Sequence, residues 1–108
     1  FNNDILTLSD LIIDLVIPGG VSDNNDGLND ELVIDGLEYY PDNKLVIFNR
    51  WGDIIYEANP YLNDWSGQSN VSNTLGKNKV VVGTYYYLFY IDTNDDTEPV
   101  KGYIEYKK

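Results

Sequence analysis

The chain has 108 residues, with 18 Asp and Glu against seven Lys and Arg, a formal net charge of −11 at pH 7, and no Cys, His or Met. That charge argues against nucleic acid as a partner, because phosphate binding needs a basic face, and against contact with an anionic membrane surface. Without Cys or His there is no thiolate nucleophile, no disulfide framework, no imidazole base and no zinc site built from thiolate or imidazole.

The length fits one domain. No stretch reaches the roughly 18–20 apolar residues of a membrane-spanning helix, so no membrane insertion is expected. Asn and Asp number 13 each, Tyr 10, and Ala appears once. Asn and Asp form turns and Tyr favours strands, so the composition points to an all-β fold. A first residue of Phe rather than Met leads to the expectation that this is a piece of a longer protein, with cargo upstream.

Residues 1–11 read as a lead-in or linker with a weak first strand near 5–8, and 12–108 as the domain proper. Residues 12–17 alternate as a strand, with Ile13, Leu15 and Ile17 inward and Asp14 outward. Pro18-Gly19-Gly20 ends it. A polar loop follows, Ser22-Asp23-Asn24-Asn25-Asp26-Gly27-Leu28-Asn29-Asp30.

Residues 31–35 alternate again, with Leu32 and Ile34 inward. Lys44-Leu45-Val46-Ile47-Phe48 is apolar on both faces and therefore predicted to be a central strand. Asn49-Arg50-Trp51-Gly52 turns the chain into a second hairpin arm, 53–56. Residues 57–78 form a long polar excursion. Residues 84–91 make the strongest strand, an acidic turn spans 92–99, and 100–106 form the last strand. In that strand Val100, Gly102, Ile104 and Tyr106 share one face, and Lys101, Tyr103, Glu105 and Lys107 the other. About seven short strands separated by turns predict an antiparallel immunoglobulin-like β-sandwich.

Three segments carry candidate chemistry. With Gly27 at the sixth place, Ser22, Asn24, Asp26, the Leu28 carbonyl and Asp30 fall at oxygen-ligand positions of a calcium loop. Ser22 stands where Asp is usual, and Val33 where a bidentate Glu would close the site. An Asn-rich turn held by its own side chains accounts for the same residues and is the favoured reading; calcium is the one cofactor the sequence suggests.

The hairpin tip pairs Arg50 with Trp51, residue types that anchor protein interfaces. Against that stands a purely structural role, with Trp51 folded over a sheet edge, Arg50 stacked on a ring and Gly52 supplying positive φ. Tyr85-Tyr86-Tyr87 cannot form one flat platform, because neighbours in a strand face opposite ways, so core and cross-strand packing is expected of them. No nucleophile stands beside a base, and no enzyme activity is expected.

Several segments together resemble the gliding-motility-associated C-terminal domain, the type B sorting domain of the type IX secretion system in Bacteroidetes. Pro18 to Asp30, with its Ser-x-Asn-x-Asp-Gly-x-Asn-Asp core, is similar to that family's first block. Leu45-Val46-Ile47-Phe48-Asn49-Arg50-Trp51-Gly52 with Ile55-Tyr56 is similar to its "N-R-W-G" block. Asp64-Trp65-Ser66-Gly67, Val82-Gly83-Thr84-Tyr85-Tyr86-Tyr87 and Val100-Lys101-Gly102-Tyr103-Ile104 ending in Lys107-Lys108 resemble the remaining blocks, in family order. Asp23, Asn25 and Ser66 depart from the usual residues, and 68–80 look like a longer insertion.

The resemblance implies a non-enzymatic address at the C-terminus of a large secreted protein. The cargo would cross the periplasm and end on the cell surface or in the medium. The domain would act as a monomer and dock to the type IX translocon and an SprF-like outer-membrane protein. Asn49, Arg50, Trp51, Gly52, Lys101, Lys107 and Lys108 are the expected recognition residues, with strand 100–108 as an edge open to β-augmentation. The rival expectation is a calcium-stabilised adhesion or glycan-binding sandwich, using Tyr61 and Trp65 as an exposed aromatic pair.

Overall fold

The computed structural model describes residues 16–24, 27, 29–71, 80–94, 96 and 98–108. Among them five strands form: β1 Gly20–Ser22, β2 Lys44–Phe48, β3 Ile54–Ala58, β4 Gly83–Tyr90 and β5 Val100–Lys107, with one 3₁₀ turn at Leu37–Tyr39 and no α-helix. They make one sheet in the order β1-β5-β4-β2-β3. Four strands match the alternating or apolar runs read from the sequence, and β2 sits in the interior as predicted.

The fold is all-β, but it departs from the expected antiparallel sandwich. β1 runs parallel to β5, pairing Gly20 with Glu105 and Ser22 with Lys107, so the sheet is mixed. No second sheet faces it among the described residues. Residues 31–35 show why. Leu32 and Ile34 point inward and are buried, as their alternation predicts. Their backbone N–H groups, however, donate to the Trp65 carbonyl at 2.8 Å and to Asn63 Oδ1 at 2.8 Å. The segment spends its hydrogen bonds on another loop rather than on a strand, so it packs like a strand without joining a ladder. Of the expected strand at 12–17, residues 12–15 lie outside the described residues, and Val16 makes an isolated bridge with Asp35.

The second layer is therefore two loops, around 29–40 and 59–71, laced to each other over one face of the sheet. Tyr61 is the knot. Its hydroxyl donates to the Leu32 carbonyl at 2.6 Å and accepts the Trp65 N–H at 2.9 Å, and its N–H donates to Asn43 Oδ1 at 2.8 Å. Trp65 fills the centre, fully buried, with Tyr56, Tyr85 and Tyr106 around it at 5.7–6.3 Å between ring centroids. Its indole N–H donates to the Gln68 carbonyl at 2.8 Å, so no polar atom of the ring is left unpaired. Gly67, at φ 99°, lies directly under the Tyr106 ring, where a side chain would collide with it.

Both sheet edges are partly occupied. Along β3 the Asn70 amide works as a strand of one residue: Oδ1 accepts the Glu57 N–H at 3.0 Å and Nδ2 donates to the Glu57 carbonyl at 2.8 Å. On β1 the Ser22 N–H donates to the Asn29 carbonyl at 2.7 Å. The C-terminal strand β5 is flanked by β4 along its length and by β1 at Glu105–Lys107 alone, so its expected role as an edge is closed at its C-terminal end, while Val100–Ile104 have no second strand partner among the described residues. The β1 partner makes the difference: Gly20–Ser22, read from sequence as a strand end and the start of a loop, lies along β5.

Candidate functional site

The β2–β3 turn is organised by one side chain. Asn49 Oδ1 accepts the backbone N–H groups of Trp51 at 2.9 Å and Asp53 at 3.0 Å. The Asn49 N–H donates to the Asp53 carbonyl at 2.9 Å, and the Gly52 N–H to the Asn49 carbonyl at 3.0 Å. Gly52 takes φ 86°, in the left-handed region that favours glycine. Asn49 and Gly52 thus shape the turn, while Arg50 and Trp51 point out of it.

Trp51 is 74% exposed and does not fold over the sheet edge. The Arg50 guanidinium sits 4.6 Å from the Trp51 ring centroid, a stacked cation–π pair held in solvent. A shallow groove of about 440 Å³ runs beside the pair, walled by Val81, Val82 and Tyr86. The groove wall is fixed by the Tyr85 hydroxyl, which donates to the Val81 carbonyl at 2.6 Å. Burial pushes that hydroxyl above its ordinary value, with Arg50 partly offsetting the rise, so it stays a proton donor at neutral pH.

Strand directions decide which predicted residues meet. β2 ends at the turn, β4 begins beside it, and β5 ends beside the start of β4, with Gly83 opposite Tyr106. Asn49, Arg50, Trp51, Gly52, Lys107 and Lys108 therefore share one end of the sheet. Lys101 does not. It lies opposite Leu88, six residues from Lys107 along β5, about 20 Å away at strand spacing.

The loop after β1 emerges at that same end. Of the calcium positions, Asp26 and Leu28 lie outside the described residues. Asn24 N–H donates to the Ser22 carbonyl at 2.9 Å, and Asp30 Oδ2 accepts the Gly27 N–H at 2.7 Å, a side-chain-braced turn. Asp23 accepts the Tyr106 hydroxyl at 3.0 Å, which ties the loop to the core. Burial, with this bond to a carboxylate, raises Tyr106 from 10.0 to about 12. Among the described residues no three acidic side chains converge to hold a metal ion.

The aromatic pair proposed for a glycan is overturned. Tyr61 and Trp65 are both fully buried and form the inner core. Two exposed aromatics lie on the opposite face, where Tyr86 and Tyr103 are direct cross-strand partners, 47% and 58% exposed. Phe48 and Ile54 continue that row across β2 and β3. Sequence alternation places Tyr86 and Tyr103 outward; what it does not show is that nothing among the described residues covers them.

A family model described as the CHU_C type IX secretion signal domain matches residues 15–106, most of the chain. No curated protein and no solved structure matches.

Proposed function

Because the chain belongs to the type IX secretion signal domain family, we propose that it carries an upstream cargo through the outer membrane by docking, as a folded monomer, to translocon components. A type IX signal serves a secreted or cell-surface cargo; it is a sorting element rather than a catalyst. In this proposal the cargo passes through the periplasm, and an SprF-like outer-membrane protein is the receptor.

The observation that carries the reading is the convergence of Arg50, Trp51, Lys107 and Lys108 at one end of the sheet, within a chain whose family is a secretion signal. Lys101 belongs to the surface only if the partner also extends along the sheet. Because β1 covers β5 at Glu105–Lys107, the contact at this end of the sheet is made by side chains.

The test fuses residues 1–108 to the C-terminus of a reporter exported to the periplasm of a type IX-competent cell. The reporter is expected at the cell surface, and to be retained in the periplasm when the translocon is deleted. Periplasmic retention in competent cells, or surface display without the translocon, overturns the proposal.

A further inference from the structure

β5 is paired on both sides over only part of its length. β4 pairs with Val100–Tyr106 on one side. On the other, β1 pairs with Glu105–Lys107, and the Glu105 N–H donates to the Gly19 carbonyl at 2.9 Å where that pairing starts. Backbone groups two residues apart in a strand point to the same side. The Glu105 N–H and the Lys107 carbonyl point towards β1, so the N–H and carbonyl groups of Lys101 and Tyr103 face that way too. Among the described residues these two donors and two acceptors have no partner.

The chain's own approach to β1 does not fill the row. Pro18 has no N–H to give to a ladder, and Val16 bridges Asp35 instead. The open run, Val100–Ile104, therefore lies in line with β1 and ends where β1 begins.

A second observation falls at the same place. Tyr87 stands opposite Gly102, and its ring and hydroxyl lie over that glycine, in the space a side chain would need. Tyr87 is only 8% exposed, yet its hydroxyl has no hydrogen-bond partner among the described residues. Burial pushes the hydroxyl above its ordinary value, so at neutral pH it is a donor without an acceptor. Buried polar groups are nearly always paired, and this one sits beside the open edge.

We infer that Val100–Ile104 receive an added β-strand from another polypeptide, which continues the line of β1 and pairs with the backbone groups of Lys101 and Tyr103. Its residues on the side of Val100 and Ile104 are apolar, because those two pack on the core. Its alternate residues, beside exposed Lys101 and Tyr103, face solvent and are polar. The inference rests on the secretion-signal reading and names how the partner binds. A second copy of the chain fits less well. Two β5 edges related by a twofold axis at Gly102, the middle of the run, would set Pro99 of one copy beside Glu105 of the other, where Gly20 already lies.

The test uses the full-length protein in its native host, with p-benzoylphenylalanine replacing Lys101 or Tyr103, and replacing exposed Tyr39 as a control away from the edge. Irradiation is expected to join positions 101 and 103, but not 39, to one other protein, at residues two apart in a single alternating segment. Tyr103→Pro removes an N–H that no described strand uses, and is expected to cut adduct yield from position 101 about tenfold. Tyr103→Thr removes the same ring but keeps the N–H, and is expected to cost far less. If Tyr103→Pro does not fold, the spacing of the adducts decides alone.

Adducts to lipid, to glycan, to another copy of this chain or to its own upstream residues overturn the inference, as do partner residues without the two-residue spacing. So do equal losses for folded Tyr103→Pro and Tyr103→Thr, or the absence of any adduct while the protein still reaches the surface. If the unsubstituted full-length protein fails to reach the surface through the translocon, it is the secretion-signal reading that falls.

Discussion

The two faces of the sheet use the same residue for opposite ends. Tyr85 and Tyr87 point inward from β4 and Tyr106 from β5, and all three are buried; Tyr86 and Tyr103 point outward from the same strands and stay exposed. The inner tyrosines are closed over by loops whose backbone groups are satisfied by Tyr61, Asn63 and Trp65. The outer ones meet no such layer among the described residues. Burial and exposure are thereby separated by strand alternation alone. Substitutions on the inner face should unfold the domain, and those on the outer face should leave it folded.

The largest expected effect is at Trp65. Trp65→Ala empties the centre of the core and is predicted to cost about 3–5 kcal/mol, against a total of about 5–15 kcal/mol for a domain. Urea denaturation checks it; a loss no larger than for Tyr86→Ser, which is expected within about 0.5 kcal/mol, would erase the contrast between faces.

Tyr61→Phe keeps the ring and removes the hydroxyl that bridges Leu32 and Trp65. It leaves a buried carbonyl and N–H without that partner, and a loss of about 1–3 kcal/mol is expected in the same assay. Asn49→Ala, at the exposed turn, removes the acceptor of two N–H groups and is predicted to cost about 0.5–1.5 kcal/mol. A larger loss there than at Tyr61 would mean that the turn, not the loop layer, holds the fold.

Alkaline pH probes the inner face as a whole. Burial first, then the Asp64 carboxylate, raises Tyr56 to about 12, and Tyr106 stands equally high. Between pH 10 and about 12 the folded protein holds protons that the unfolded chain has lost. Stability is therefore complete below pH 10 and falls across that window. A midpoint of urea unfolding that stays flat to pH 12 would contradict the burial of these hydroxyls.

Calcium is expected to have the smallest effect. Asp30 and Asp23 already accept hydrogen bonds from Gly27 and Tyr106, so saturating calcium should leave Tm in place. A rise of several degrees would instead assign the metal to Ser22, Asn24, Asp26, Leu28 and Asp30.

Much of the fold is legible in the sequence. β2 to β5 follow from apolar alternation and turn residues, and alternation assigns the two faces of β5 residue by residue. What escaped was non-local. Gly20–Ser22 carries no strand signal of its own; its partner β5 lies at the far end of the chain. Residues 31–35 alternate like a strand, yet their hydrogen bonds go to Asn63 and Trp65, which no periodicity encodes. Tyr61 and Trp65 sit in a polar stretch that reads as exposed, although Trp65 is the largest fully buried side chain among the described residues. Asn49 and Gly52 fall in the turn that the sequence predicts, but the structure divides their work from that of Arg50 and Trp51.

The separation of faces is tested most directly by setting Tyr86→Ser with Tyr103→Ser beside Trp65→Ala and measuring Tm. The account predicts a Tm close to wild type for the outer-face pair and a large fall for Trp65→Ala. A fall in the outer-face pair as large as that of Trp65→Ala would contradict it.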